Sequence, residues 1–287
     1  MALDLAAAVE AFDARLRPTT DADLDRPWAW GVYDEEGVRF AFFRTIEELG
    51  DAAVEVAARR EATGPALTRA QAILGRYHVA WRELWSIVDE GSEGLLELRP
   101  DPDEWSLRLI LEHLIGADLG FFVTQRYAMD RRAAGREPAR VGEEEWPIVA
   151  AISDEEYEAI FAGPLDAIRA FHVRVHDRII AELDSLSDSD LAAESLFWDG
   201  SMPNRFRLGR FESHLRQHTI QLEKTLQAVS GPPREVDRLL RLVRRAQGDL
   251  EAAAIGAEGV AAEVAAAAAA SIEARVAELT PIVAVPM

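Results

Sequence analysis

RFESHLRQHTIQLEKTLQAV, residues 210–229, puts imidazoles where a buried helix ordinarily carries aliphatic side chains. Phe211, His214, Leu215, His218, Leu222, Leu226 and Val229 recur at the three-and-four spacing of one helical face. Glu212, Arg216, Glu223, Lys224 and Gln227 fall largely on the other side, so the segment is an amphipathic helix with two histidines in its apolar seam. Imidazoles one turn apart on one face can point at a single ion, and His-x-x-x-His is an economical way for a helix to supply two metal ligands. The competing reading is a pair of core histidines satisfied by hydrogen bonds.

Working outward, the same helical periodicity recurs upstream. A helix is expected from Thr68 to about Asp89, with Ile73, Leu74, Tyr77, Trp81, Leu84, Trp85 and Val88 on its apolar face and His78 beside it, as a packing residue or one that supports a ligand from behind. After the prolines of LELRPDPDEWS, Leu107 to Arg132 is strongly periodic, with Ser106 as its N-cap. His113 sits there among Gly116, Ala117 and Gly120, small residues that suit either a ligand or close packing. A capping box at Ser153 opens a further segment to about residue 184, kinked or split at Gly163-Pro164. That segment carries a second pair, His172 and His176, expected to be partly exposed beside Asp177 and Arg178 and not a primary metal site. Residues 185–204 read as a loop containing Trp198 and Asp199-Gly200, and Ser230-Gly231-Pro232-Pro233 stops the anchor helix. Short helices are expected at 3–16, 45–62, 235–255 and about 260–279, and a β-like stretch at 26–43 with a hairpin turn at Asp34-Glu35-Glu36-Gly37.

The expected organisation is an all-α fold. Residues 1–65 form an N-terminal helical extension packing on a four-helix bundle at 66–230, and 231–287 form a C-terminal helical extension. If the second and fourth bundle helices are neighbours, His113 converges with His214 and His218, and three imidazoles leave a coordination position open for water or substrate. The chain has no cysteine, so any metal site is built from His, Asp and Glu, and a sulfur nucleophile would have to come from outside. A formal charge of −20 opposes nucleic acid and anionic membranes as partners. No basic segment precedes an apolar run and no stretch of about 18 apolar residues is free of charge, so a cytoplasmic protein is expected.

Glu104-Trp105-Ser106, then Leu111-Glu112-His113-Leu114, then His214-Leu215-Arg216-Gln217-His218 together resemble the DinB-like superfamily over about residues 66–230. That group includes the bacillithiol transferase and mycothiol-dependent maleylpyruvate isomerase types and is related to the helical domain of ergothioneine-synthesising iron enzymes. The resemblance implies an up-down-down-up bundle, often a homodimer, holding a divalent metal through His113, His214 and His218. Ile220 stands where the ergothioneine type has an acid, a departure that argues against a sulfoxide-forming oxygenase.

The function expected is a metal-dependent S-transferase or isomerase joining a low-molecular-weight thiol to a small electrophile, with zinc first among zinc, nickel, iron and manganese. Arg205, Arg207, Arg210 and Arg216 form a basic cluster suited to a substrate carboxylate, or else pair with surface acids. Gln217 and Gln221 are candidates to orient the imidazoles. Asp118 and Glu112 are candidate proton handlers, and no general base is assigned. Two other readings stay open: a non-catalytic metal- or ligand-binding module of stress-response type, and a metal-dependent hydrolase using the same histidines.

Overall fold

Hydroxyl side chains cap the N-termini of three helices in the middle of the chain. Thr68 Oγ1 accepts from the Gln71 N–H at 3.2 Å while Gln71 Oε1 accepts from the Thr68 N–H at 3.1 Å, a reciprocal cap on the helix that starts at Arg69. Ser106 Oγ and Ser153 Oγ accept from the N–H groups of Leu109 and Glu156 where helices start at Leu107 and Asp154. The computed structural model describes residues 5–33, 37–88, 90–198 and 200–283. In order these form α1 (Leu5–Leu16), α2 (Gly37–Thr63), α3 (Arg69–Ile87), α4 (Leu107–Ala133), α5 (Trp146–Ala150), α6 (Asp154–Ala162), α7 (Leu165–Leu183), α8 (Asp188–Ala192), β1 (Glu194–Phe197), β2 (Gly200–Pro203), α9 (Asn204–Ser230), α10 (Glu235–Ala254) and α11 (Glu258–Val283). The protein is predominantly helical. Among the described residues no helix is long and apolar enough to cross a membrane.

Two local expectations give way. The β-like stretch at 26–43 is helical from Gly37 onward, and an isolated bridge joins Trp30 to Tyr33; the turn residues 34–36 lie outside the described residues, as does the expected helix end at Asp89. Val38, Ala41, Phe42 and Thr45 are buried at helical spacing, and Phe42 meets Phe12 edge-on at 5.3 Å. Burying that stripe outweighs the β preference of its aromatics. The strand pair instead lies in the stretch read as a loop: β1 and β2 pair antiparallel, with Ser195 opposite Met202 and Phe197 opposite Gly200.

Contacts divide the chain into two compact units. One comprises Met1–Leu67, Trp85–Ile87 and Pro232–Met287, and the other Thr68–Leu84 and Val88–Gly231. In the first, the N-terminal and C-terminal segments share one core, with α2 against α10 and α1 against α11. The alanine-rich α11 contributes Val264, Ala269, Ile272 and Leu279 to it. Two buried arginines are tied down there: Arg244 to Asp13 at 3.0 Å, and Arg275 to Thr45 at 2.7 Å and Glu48 at 2.8 Å.

The second unit holds the histidines. Within it α4 packs against α9 and α7, and Gly163-Pro164 separates α6 from α7, where Arg108 closes the break by donating to the Phe161 and Gly163 carbonyls. Glu83 of α3 accepts from Arg216 of α9 at 2.9 Å.

Candidate metal centre

His214 and His218 share the buried face of α9 because they are one turn apart, and the contact between α9 and α4 brings His113 to them. The ring centroids of His214 and His218 are 4.4 Å apart, and that of His113 lies 4.6 Å from His218 and 5.2 Å from His214. One candidate ligand atom from each residue lies within 4.8 Å of the other two. Among the described residues no other group of three histidines or carboxylates does so. His214 and His218 are buried while His113 is exposed, so the cluster opens to solvent on the α4 side.

The donor set fits a divalent metal on two grounds besides proximity. Nδ1 of His214 is buried without a hydrogen-bond partner, an unusual state for a ring nitrogen unless a ligand takes the lone pair. Nδ1 of His218 lies 2.8 Å from Gln221 Oε1; the amide oxygen only accepts, so Nδ1 carries the proton and Nε2 keeps its lone pair. Burial, the neighbouring His218 and His113 and the charge of Arg210 push His214 down to about 3, and burial followed by His218 lowers His113. Both rings are therefore neutral at pH 7, the protonation state that ligation requires.

Aromatic rings surround this cluster. The Trp105 ring lies 5.1 Å from His113, and the Phe121 ring meets His214 edge-on at 5.5 Å. Of the small residues on α4, Gly116 is required by ring packing from another element, while Gly120 has room for a Cβ in ordinary contact. A Cβ on Gly116 would come within 2.6 Å of the Tyr157 hydroxyl, and one on Gly120 would meet Trp146 at 3.5 Å and Phe197 at 3.8 Å. The sequence alone does not point to Trp146, Tyr157 or Phe197, although Asp199-Gly200 is a turn-type dipeptide two residues beyond Phe197 in the sequence.

The four arginines expected as one cluster have separate roles. Arg207 is buried and holds the hairpin: it donates to Ser195 Oγ at 3.1 Å and to the Gly200 carbonyl at 2.7 Å. Arg216 is committed to Glu83 and Glu212. Arg205 is exposed, and its position nine residues before His214 places it on the opposite side of α9. Arg210, one turn before His214, is half-buried with its guanidinium 5.8 Å from the centre of the Phe121 ring. Gln217 is exposed and bonds neither imidazole among the described residues, because it sits a quarter-turn away from the histidine face.

The second histidine pair corrects the expectation of partial exposure, since His172 and His176 are both buried. His176 stacks on Trp81 at 4.3 Å and its Nε2 lies 3.0 Å from Nδ1 of His78, while its Nδ1 lies 3.0 Å from Asp177 Oδ1. His172 Nε2 is 3.2 Å from Asp118 Oδ2, which also accepts from the Tyr77 hydroxyl at 2.8 Å. Burial dominates here too: it pushes His176 down to about 4 against the opposing Asp177 and raises Asp118 against its two partners. Asp118 is thus bound into a sealed core network. Glu112 offers its backbone carbonyl to the Tyr157 hydroxyl at 3.3 Å.

A model of the DinB superfamily matches residues 76–222, a span that includes His113, His214 and His218. No curated protein and no solved structure matches the chain.

Proposed function

The chain belongs to the DinB superfamily, and from that premise we propose that it is a divalent-metal-dependent enzyme in which His113, His214 and His218 hold the ion. We read α3, α4, α7 and α9 as the up-down-down-up four-helix bundle of that group, and the reaction as transfer of a low-molecular-weight thiol to a small electrophile, or an isomerisation that such a thiol assists. Zinc is the first choice among zinc, nickel, iron and manganese, since imidazole donors suit all but manganese well and zinc needs no redox partner. Bound there, a divalent cation supplies the Lewis acidity that keeps a thiol ionised near neutral pH.

The chain's own residues provide the rest. Partial desolvation and the nearby His218 lower His113, and burial and its neighbours lower His214, so their lone pairs are available without loss of a proton. Gln221 fixes the His218 tautomer from the next turn of α9. Phe121 backs the buried side of His214, and Trp105 stands beside exposed His113 as an apolar wall for a substrate arriving from solvent. A chain with no cysteine supplies no thiolate itself, which agrees with an external thiol.

The observation that carries this reading is the meeting of three ligand-capable imidazoles from two helices, one of them open to solvent. The test is loss of a thiol such as glutathione, cysteine or bacillithiol in the presence of 1-chloro-2,4-dinitrobenzene, followed for zinc-loaded protein and for His218→Ala. Metal-dependent thiol consumption that vanishes in the variant is the expected result. Ester hydrolysis without thiol by the same zinc-loaded protein would replace transfer with hydrolysis, and stabilisation by zinc with no turnover would leave a binding module.

A further inference from the structure

Arg210 is an oddity in a chain of 51 acidic and 31 basic residues. Other buried or partly buried guanidinium groups have acceptors: Arg216 takes two glutamates, Arg244 takes Asp13 and Glu10, and Arg207 and Arg60 take hydroxyl or carbonyl oxygens. Among the described residues Arg210 has neither an ion-pair partner nor a hydrogen-bond acceptor, although it is half-buried. Its guanidinium rests over Phe121, and the edge of that ring meets His214. Arg210, Phe121 and His214 are therefore consecutive parts of one wall, with the cation one helical turn from the histidine cluster.

From this juxtaposition we propose that Arg210 is the seat for the carboxylate of the substrate, and that the substrate class is a small aromatic or unsaturated carboxylic acid. The proposal rests on the histidine cluster being the reaction site. A guanidinium offers two parallel N–H groups that match a carboxylate, and one placed over an aromatic ring can keep them turned outward. The apolar part of such a molecule meets Phe121 and the Trp105 side of His113, so charge and ring are recognised together. Arg207 and Arg216 are excluded from this role because their donors are already committed, and Arg205 because it projects from the opposite side of α9.

The test is calorimetric titration of benzoate and of benzamide, its uncharged counterpart, into metal-free and zinc-loaded protein. Wild type, Arg210→Gln, Arg210→Lys and Arg205→Gln are compared, with zinc content and melting temperature recorded for each. Wild type is expected to prefer benzoate by about tenfold or more in both forms, as a charge-assisted hydrogen-bonded pair should. Arg210→Gln should erase the preference while keeping its zinc, Arg210→Lys should keep part of it, and Arg205→Gln should leave it intact. A preference that survives in Arg210→Gln overturns the proposal, as does metal-free wild type that does not distinguish the two probes. A preference confined to the zinc-loaded form also overturns it, since the carboxylate would then be binding the metal. Failure to take up zinc would instead defeat the metal reading, leaving the metal-free comparison to judge Arg210 alone.

Discussion

The six histidines of this chain divide into two groups of three within one helical unit, and each group contains a His-x-x-x-His pair. His78, His172 and His176 are all buried; His78 meets His176, which also meets Asp177, and His172 meets Asp118. His113, His214 and His218 converge instead on each other, with a buried Nδ1 of His214 unpartnered and His113 exposed. The same spacing on a helix thus serves two purposes. The deciding factor is whether carboxylates and neighbouring rings use up the nitrogens.

Exchanging residues between the groups should break this contrast most sharply. His218→Ala is expected to lower zinc affinity by about a hundredfold or more, roughly one ligand's share of the ~10–16 kcal/mol typical of a four-ligand zinc site. His176→Ala should leave zinc affinity nearly unchanged and lower stability instead. Competition titration with a chromophoric chelator measures the first, and urea unfolding the second. Equal zinc loss in both variants would erase the distinction.

Next in size is the sealed network. Asp118→Ala removes the carboxylate shared by Tyr77 and His172 and should cost about 3 kcal/mol in urea unfolding, because two buried contacts are lost together. Asp118→Asn, which keeps an acceptor oxygen, should cost less, and neither variant should lose zinc. An Asp118→Ala protein as stable as wild type would mean the network is incidental.

A smaller effect follows from pH. His176 is lowered to about 4, so the unfolded chain takes up a proton that the folded protein refuses. Its contribution is complete above about pH 6.5 and is lost as pH falls toward 4, amounting to about 2 kcal/mol by pH 5. His214, pushed to about 3, adds a slope of the same sign in metal-free protein. Comparison with His176→Gln isolates the His176 part, since that variant should have the flatter profile. Superimposable profiles would contradict the assignment. The smallest change is expected from Gln221→Ala, about tenfold in zinc affinity, through loss of the bond that fixes the His218 tautomer.

Much of this contrast was legible in the sequence, and what was missed has physical causes. The meeting of His214 and His218 on one buried face follows from helical periodicity alone, and His113 lies on the equally periodic α4. The burial of His176 was hidden because Asp177 and Arg178 look like solvent-facing neighbours. Asp177 instead serves as a hydrogen-bond partner for the ring, and Arg178 reaches the Ala150 carbonyl at 2.7 Å. A single apolar stripe also understates α7, whose histidines meet α3 and α4 on different sides. The use of the space beside His113 could not be read from Gly116 and Gly120, because the rings that approach it come from α5, α6 and β1. β1 itself was lost because a four-residue strand is too short to establish a period. The separate roles of the four arginines depend on contacts that no spacing rule encodes.

The most direct measurement uses the fact that there are only six histidines to resolve. Imidazole ¹⁵N resonances are followed while zinc is added to the metal-free protein at pH 7.5. The expected result is that signals of His113, His214 and His218 move together and saturate at about one equivalent, while those of His78, His172 and His176 stay in place. Absence of any shift in a folded protein, or movement of the second group in place of the first, would contradict the assignment of a metal centre to the open cluster.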